Sequence, residues 1–289
     1  MKGVPVRGLQ VEEYHVAGKK GDDGLCEDAI VVNDRFLAVL DGTTSHAPEG
    51  HGLLSPGKKA VNRMAAVLND VDGNTPARPL FRRLNDAIAD IYREEGLYDQ
   101  ARENPEIRYS AAVIVYSRAH SEVWMIGDCQ ALIGDTLFCE EKHADTLLSE
   151  VRAMFLESEL LRGKSIEDLL EFDTGRQYIR ELAIRQKQFR NRLCAHRYCF
   201  FVLDGFLSDL DSAIQAERVP PDCTRLVLAS DGYPVLKPTL AETEQVLREM
   251  IERDPLCFRE FKSTKGVYSG NVSFDDRAYL RVNLSTEQQ

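Results

Sequence analysis

The chain has 289 residues, 43% of them hydrophobic and 29% charged, a globular composition with enough chain to bury a full core. Lys and Arg number 36 against 47 Asp and Glu, a net charge of −11. That balance argues against a nucleic-acid binder and suits a carboxylate cluster neutralised by metal.

No apolar run approaches the ~20 residues of a membrane span, and residues 1–13 lack the apolar stretch of a signal peptide. The seven cysteines are scattered, and no C-x-x-C occurs. Reduced thiols in a cytoplasmic protein are expected, not a disulfide framework or a zinc site.

The first predicted element is a β-hairpin, Ala29 to Val32 and Phe36 to Leu40, turning at Asn33-Asp34. Asp41-Gly42 follows, then a small, polar loop through Gly57. Helical periodicity covers Lys58 to Leu68 and Leu80 to Tyr92, the second carrying Leu80, Leu84, Ile88 and Ile91 on one stripe. A second hairpin, Ser110 to Tyr116 and Val123 to Ile126, ends on Gly127-Asp128. Asp145 to Asn191 is charged and helical, broken near Arg162-Gly163 and Thr174-Gly175. Strands are predicted at Tyr198 to Leu203, Arg225 to Ala229 and Arg277 to Leu284, and helices at Leu240 to Ile251 and Leu256 to Lys262. No βαβ alternation occurs, which predicts antiparallel sheets covered by helices.

Acids recur at the strand ends. Asp28 precedes the first strand, Asp41 follows the second, Asp128 and Asp231 follow later ones, and Asp275-Asp276 precede the last. Any one of them reads as a turn former or cap; five in equivalent positions suggest a shared site. If Asn33-Asp34 is a two-residue loop, Val32 pairs with Arg35 and Asp28 lies opposite Val39. Asp28 and Asp41 are then diagonal neighbours on one face, ~7–8 Å apart. Two carboxylates that close call for a proton or cation between them, and hard oxygen ligands favour Mg²⁺ or Mn²⁺ over zinc.

The ordered set Cys26-Glu27-Asp28-Ala29, Asp41-Gly42, Gly127-Asp128, Ala229-Ser230-Asp231-Gly232 and Asp275-Asp276 resembles the metal-dependent type 2C family of serine/threonine protein phosphatases. The resemblance spans about residues 11 to 284. It implies an α+β fold, a four-layer αββα sandwich of two antiparallel sheets flanked by helix pairs. It implies one domain over 1–289, with the helical stretch at about 145–191 as an insertion beside the cleft.

It also implies two Mn²⁺ or Mg²⁺ ions. Asp41 would bridge them, the Gly42 carbonyl would bind one, and Asp231 and Asp275 would be direct ligands. Glu27 and Asp28 would act directly or through water, and Asp128 with Asp231 would hold a third, weaker ion. The implied reaction is hydrolysis of a phosphorylated protein or peptide by a metal-bridging water, with no phosphoenzyme, no nucleic acid and no membrane involved. The implied alternative is a weak or inactive phosphatase-fold module that binds a phosphorylated partner.

Some positions depart from the family pattern. Thr43 stands where His is usual, leaving His46, or His51, as the candidate general acid. Cys129-Gln130 replaces the usual Ser-Arg, and Asp276 stands where Asn is common. No Arg precedes Glu27-Asp28 closely, so Lys19 and Lys20 are the candidate phosphate ligands.

Rival motifs are weaker. Gly52 to Lys59 nearly spells a P-loop but lacks its Ser or Thr and a leading strand. Asp70-Val71-Asp72-Gly73-Asn74 resembles an aspartyl-nucleophile motif but follows a predicted helix, and no Cys has an Arg six positions on. Asp204-Gly205 reads as a turn. Arg176, Arg180, Arg185, Arg190 and Arg192 read as a solvated helix face as readily as a substrate-recognition surface.

Overall fold

The structure, a computed structural model, describes residues 5–6, 9–43, 54–194 and 196–285. The chain begins with strands β1 (Pro5–Val6), β2 (Leu9–Ala17), β3 (Ala29–Val32) and β4 (Phe36–Gly42). Helices α1 (Pro56–Asp70), α2 (Ala77–Glu94) and α3 (Tyr98–Glu103) follow. Then come β5 (Ala111–Ser117), β6 (Glu122–Ile126), β7 (Gln130–Ile133) and β8 (Thr136–Cys139). A helical stretch holds α4 (His143–Leu161), α5 (Ile166–Glu171) and α6 (Thr174–Arg185). The chain closes with α7 (Leu210–Ala213), β9 (Gln215–Arg218), β10 (Arg225–Ala229), α8 (Leu240–Arg253) and β11 (Arg277–Asn283).

The strands form two sheets, ordered β1-β2-β11-β10-β7-β8 and β3-β4-β5-β6-β9, with every named pairing antiparallel. Phe36 to Leu40 is apolar at every position because both faces of β4 are covered. Phe36, Ala38 and Leu40 pack on Val61, Met64 and Leu68 of α1 and on Leu84 and Ile88 of α2. Leu37 and Val39 point the other way, onto Leu226, Leu228 and Leu280 of the opposite sheet. The far face of that sheet carries Val227, Ala229 and Tyr279, which meet Leu247 and Met250 of α8. The expected four-layer αββα arrangement is the one observed, and its periodic apolar stripes are its cause; each such side chain contributes ~1.5–3 kcal/mol when fully buried. Ser55 starts α1, its hydroxyl accepting from the Lys58 amide at 3.2 Å with Pro56 in the first turn.

Four local expectations are corrected. The predicted helix Leu256 to Lys262 is an irregular loop, because one oxygen of the buried Asp254 carboxylate accepts from the amides of Phe258, Arg259 and Glu260. This loop and α8 together form the fourth layer. The predicted strand Tyr198 to Leu203 makes only isolated bridges, Phe200 to Arg190 and Leu203 to Ala111. β2 and the β7–β8 hairpin were not anticipated. A register shift opposite Arg281 and Val282 interrupts the alternation of β2, and β7 and β8 are only four residues each.

The fourth correction concerns the thiols. Cys194 and Cys199 are disulfide-bonded, and the other five are free. Backbone pairing of Asn191 with Phe200 folds their loop back on itself and brings the two sulfurs together. No described helix is long and apolar enough to cross a membrane.

Candidate metal and phosphate site

Strand pairing explains why distant acids meet. β3, β4, β5 and β6 are successively antiparallel, so the start of β3 and the ends of β4 and β6 share one end of their sheet. The antiparallel pair β10 and β11 likewise places the end of β10 beside the start of β11. Asp28, Asp41, Asp128, Asp231 and Asp275 sit at these five positions. The two ends coincide: carboxylate oxygens of Asp41, Asp128 and Asp231 lie within 4.8 Å of one another, and the Asp231 amide faces Asp41 Oδ2 at 3.5 Å.

The first hairpin has a different register from the expected one. Val32 pairs with Leu37 and Ala29 with Leu40. Asn33 Oδ1 accepts from the amides of Arg35 and Phe36, and the Asn33 amide donates to the Phe36 carbonyl at 3.1 Å, so the two-residue turn moves one position along, to Asp34-Arg35. Continued by one position, this register sets Asp28 directly across from Asp41 instead of diagonal to it, which brings the two closer on the same face.

Local packing fixes the loops that carry the acids. Gln130 Nε2 donates to the carbonyls of Ser230 (3.2 Å) and Tyr233 (2.8 Å), clamping the turn that holds Asp231. A Cβ on Gly232 would come within 1.9 Å of the Asp276 carbonyl oxygen, so the turns bearing Asp231 and Asp276 can meet only through a glycine. Gly42 is similarly confined, with the Glu27 carbonyl at 2.7 Å and Gly57 backbone at 2.9 Å from any added Cβ.

The acids divide into two groups by electrostatics. Burial, then the charges of neighbouring carboxylates, push Asp41 and Asp231 well above the usual carboxylate range. Asp28 is raised well above that range by burial and then by Asp275, Asp231 and Asp276, even though Ser230 favours its charge. Asp128 is raised by burial, with Lys142 opposing. Asp28 Oδ2 is buried without a hydrogen-bond partner among the described residues.

The second group has its own cations. Burial opposes the charge on Asp275, but Lys265 (2.5 Å) and Lys19 (3.5 Å) outweigh it and hold its carboxyl below the usual range. Lys19 Nζ also meets Asp276 (3.0 Å) and Glu27 (3.7 Å). Glu27 accepts in addition from Ser55 Oγ at 2.5 Å. Asp276 accepts from the amides of Lys19 and Glu27 and so serves as a backbone clamp.

The unpartnered oxygen and the mutual repulsion fit a divalent cation among Asp28, Asp41, Asp128 and Asp231, and the all-oxygen donor set suits Mg²⁺ or Mn²⁺. Glu27 and Asp275 fit one less simply, since two lysines already neutralise them.

Of the proposed phosphate ligands, the structure brings Lys19 to the cluster and leaves Lys20 exposed, with no contact to these acids. His46 and His51 lie outside the described residues. Asp41, Asp128, Asp231 and Asp275 line one side of a cleft of 490 Å³, and its other walls carry both signs of charge: Lys142, Arg176, Lys187, Arg190, Lys262 and Lys265 alongside Glu140, Glu141, Asp145 and Glu150. Sequence reasoning missed Lys142, Lys187 and Lys265 because nothing local marks a surface lysine that folding turns inward. Arg190 is buried and Arg176 lines the cleft, which corrects the solvated-face reading for these two. Arg180, Arg185 and Arg192 are exposed, as that reading expects.

The rival sites dissolve. Asp70 is the last residue of α1, not a strand end. Cys129 is buried, and burial followed by the surrounding carboxylates holds its thiol well above the usual range, an unfavourable setting for a nucleophilic thiolate. Asp204 forms the expected turn, accepting from the Phe206 amide, but it is also fully buried and paired with Arg108 at 3.1 Å. Asp204→Asn should therefore cost ~1–3 kcal/mol in urea denaturation, by leaving Arg108 partly unpaired. A loss below ~0.5 kcal/mol would show that the pair is dispensable.

No protein-family model matches the sequence, and no curated protein matches it. Solved structures similar to the chain include the serine/threonine phosphatase PstP/Ppp of Mycobacterium tuberculosis, 16% identical with a TM-score of 0.45, covering 94% of this chain and 97% of that one. RsbX, solved with magnesium, is 10% identical with a TM-score of 0.45, covering 96% and 100%. The serine/threonine phosphatase Stp1 of Staphylococcus aureus is 14% identical with a TM-score of 0.44, covering 97% of each chain.

Proposed function

We propose that this protein is a metal-dependent phosphoric-monoester hydrolase acting on phosphoserine or phosphothreonine in proteins. The observation that carries this reading is the convergence of Asp41, Asp128 and Asp231 from separate strand ends on one open cleft, with Asp28 buried beside them and their mutual repulsion only partly opposed by Lys142 and Lys265. Buried like charges are costly without a cation, so their retention supports a metal role.

Asp41, central among them, and Asp231 are the residues we assign to hold the ions, with Asp28, Asp128, Asp275 and the Gly42 carbonyl completing the set. Divalent ions there supply positive charge against the phosphoryl oxygens and lower the pKa of water. The chain's own part is to fix the carboxylates before substrate arrives. Gln130, Ser230 and Gly232 brace the Asp231 turn, and the Asn33 turn sets the register that faces Asp28 to Asp41. Lys19 contributes a fixed ammonium, held protonated by Asp275, Asp276 and Glu27 against the effect of burial. Its three carboxylate contacts make it a brace of this side of the acid cluster.

One observation favours a second reading, a module that binds a phosphorylated partner without turning it over. Lys19 and Lys265 already neutralise Glu27, Asp275 and Asp276, which reduces the demand for a second ion. Hydrolysis of p-nitrophenyl phosphate discriminates. Activity should disappear in EDTA and return with Mn²⁺ or Mg²⁺ but poorly with Zn²⁺. Full turnover in EDTA overturns the metal-dependent reading, and no turnover with any divalent ion favours the binding module.

A further inference from the structure

Arg190 is 5% exposed and lines the cleft, yet its Nε and Nη1 have no hydrogen-bond partner among the described residues. An unpaired buried guanidinium is costly, so its setting matters. The two carboxylates that act on it most, Asp204 and Asp145, are already engaged. Asp204 pairs with Arg108 at 3.1 Å. Asp145 pairs with Lys142 at 2.5 Å and accepts from Gln186 at 2.8 Å.

Beside Arg190, Lys187 is buried, and its ammonium donates to the Glu106 carbonyl at 3.1 Å. Burial, then the charges of Arg190 and Lys142, push Lys187 down to about 8. Arg190 and Lys187 thus place two positive charges side by side in this wall of the cleft, and neither is in an ion pair with a described carboxylate.

We propose that Arg190 and Lys187 form a subsite for a second oxyanion of the substrate, a carboxylate or phosphate flanking the phosphorylated residue. The inference rests on the phosphatase reading and deepens it. Lys142 stands between the two regions, acting on Asp128 on one side and facing Arg190 on the other. The oxyanion bound at Arg190 is therefore not the one lying over Asp41 and Asp231. Nε and Nη1 lie on different edges of the planar guanidinium, so each offers a single charge-assisted hydrogen bond to an oxyanion, with the Lys187 ammonium close by. The residues come from the end of the helical stretch between β8 and β9, so this element would supply specificity while the strand ends supply the chemistry.

The test uses the full chain with Mn²⁺ and three fluorescent phosphoserine peptides: Ala-flanked, Glu-flanked, and carrying a second phosphoserine. Binding is read by anisotropy and hydrolysis by phosphate release. For the parent, one or both anionic peptides should bind about tenfold tighter than the Ala peptide, with the gain in KM, not kcat. Which anionic peptide gains tells whether the oxyanion is a carboxylate or a phosphate. Arg190→Gln should bring the ratio close to one. Lys187→Met should reduce it and serves if Arg190→Gln fails to fold, as judged by its thermal melt. A ratio near one in the parent, or an unchanged ratio in folded variants, overturns the subsite. Anisotropy is independent of turnover, so a tenfold binding preference without hydrolysis would retain the subsite and reject the catalytic reading.

Discussion

Asp41→Asn should lower kcat for p-nitrophenyl phosphate by on the order of 10²-fold or more, about 3 kcal/mol of transition-state stabilisation. Asp41 is central to the acid cluster, within 4.8 Å of both Asp128 and Asp231 and facing Asp28 across the hairpin. The change removes a charge but keeps the shape, so the loss reports on electrostatics. Asp231→Asn should lose activity for the same reason but less of it. Asp70→Asn is the control, because Asp70 is exposed at the end of α1. If Asp70→Asn abolished turnover and Asp41→Asn left it intact, the cluster would be the wrong site.

The same substitution has the opposite sign for stability without metal. Burial and neighbouring carboxylates raise the folded-state pKa of Asp41 well above its unfolded value of ~3.9. Between those two values the native state binds more protons than the unfolded chain, so its stability falls as pH rises. Asn carries no such penalty. In EDTA at about pH 8, Asp41→Asn should melt no lower than the parent, and its advantage should shrink toward about pH 4. A clearly lower melting temperature for the variant at the higher pH would contradict the repulsion argument.

Arg152→Ala should destabilise the protein by ~3–5 kcal/mol in urea denaturation, the usual cost of breaking a buried ion pair from one side. Arg152 lies in α4 and is fully buried. Its Nε and Nη2 donate to Asp173 at 3.0 and 2.6 Å. The remaining donors reach the carbonyls of Leu256 (2.8 Å), Cys257 (3.2 Å) and Ser263 (2.9 Å). One guanidinium therefore ties the helical stretch to the irregular loop after α8, where helix-periodic contacts are sparse. Loss of Arg152 leaves Asp173 without its ion-pair partner and three carbonyls without that donor. Asp173 also caps α6 by accepting from the Arg176 amide at 2.7 Å, so the damage should extend toward the cleft. A cost below ~1 kcal/mol would mean that water replaces these bonds and the docking is not specific.

Much of the framework was legible in the sequence because it depends on short-range periodicity. The run Arg225 to Ala229 and the stripe Leu80, Leu84, Ile88 and Ile91 state their secondary structure and the face they bury within a few residues. The acids at strand ends were legible for a related reason. A strand followed by Asp-Gly marks where a sheet stops, and stacked antiparallel sheets bring such ends together.

The rest depended on long-range contacts. The sequence alone determined which acids stand at strand ends and that antiparallel layers bury the apolar stripes between them. Only the tertiary structure decided that Asp28 faces Asp41 directly, because the turn geometry came from the Asn33 side chain. It also decided that Lys19 and Lys265, 246 positions apart in the chain, neutralise the same Asp275. Local pattern reports the periodic burial of apolar residues, which recurs every two or three to four positions. A buried charge is tolerated only by the particular groups that fold around it, and those groups can come from anywhere in the chain. For that reason the unpartnered Nε and Nη1 of Arg190 are visible in the fold, while its neighbours in sequence left a solvated helix face and a recognition surface equally open.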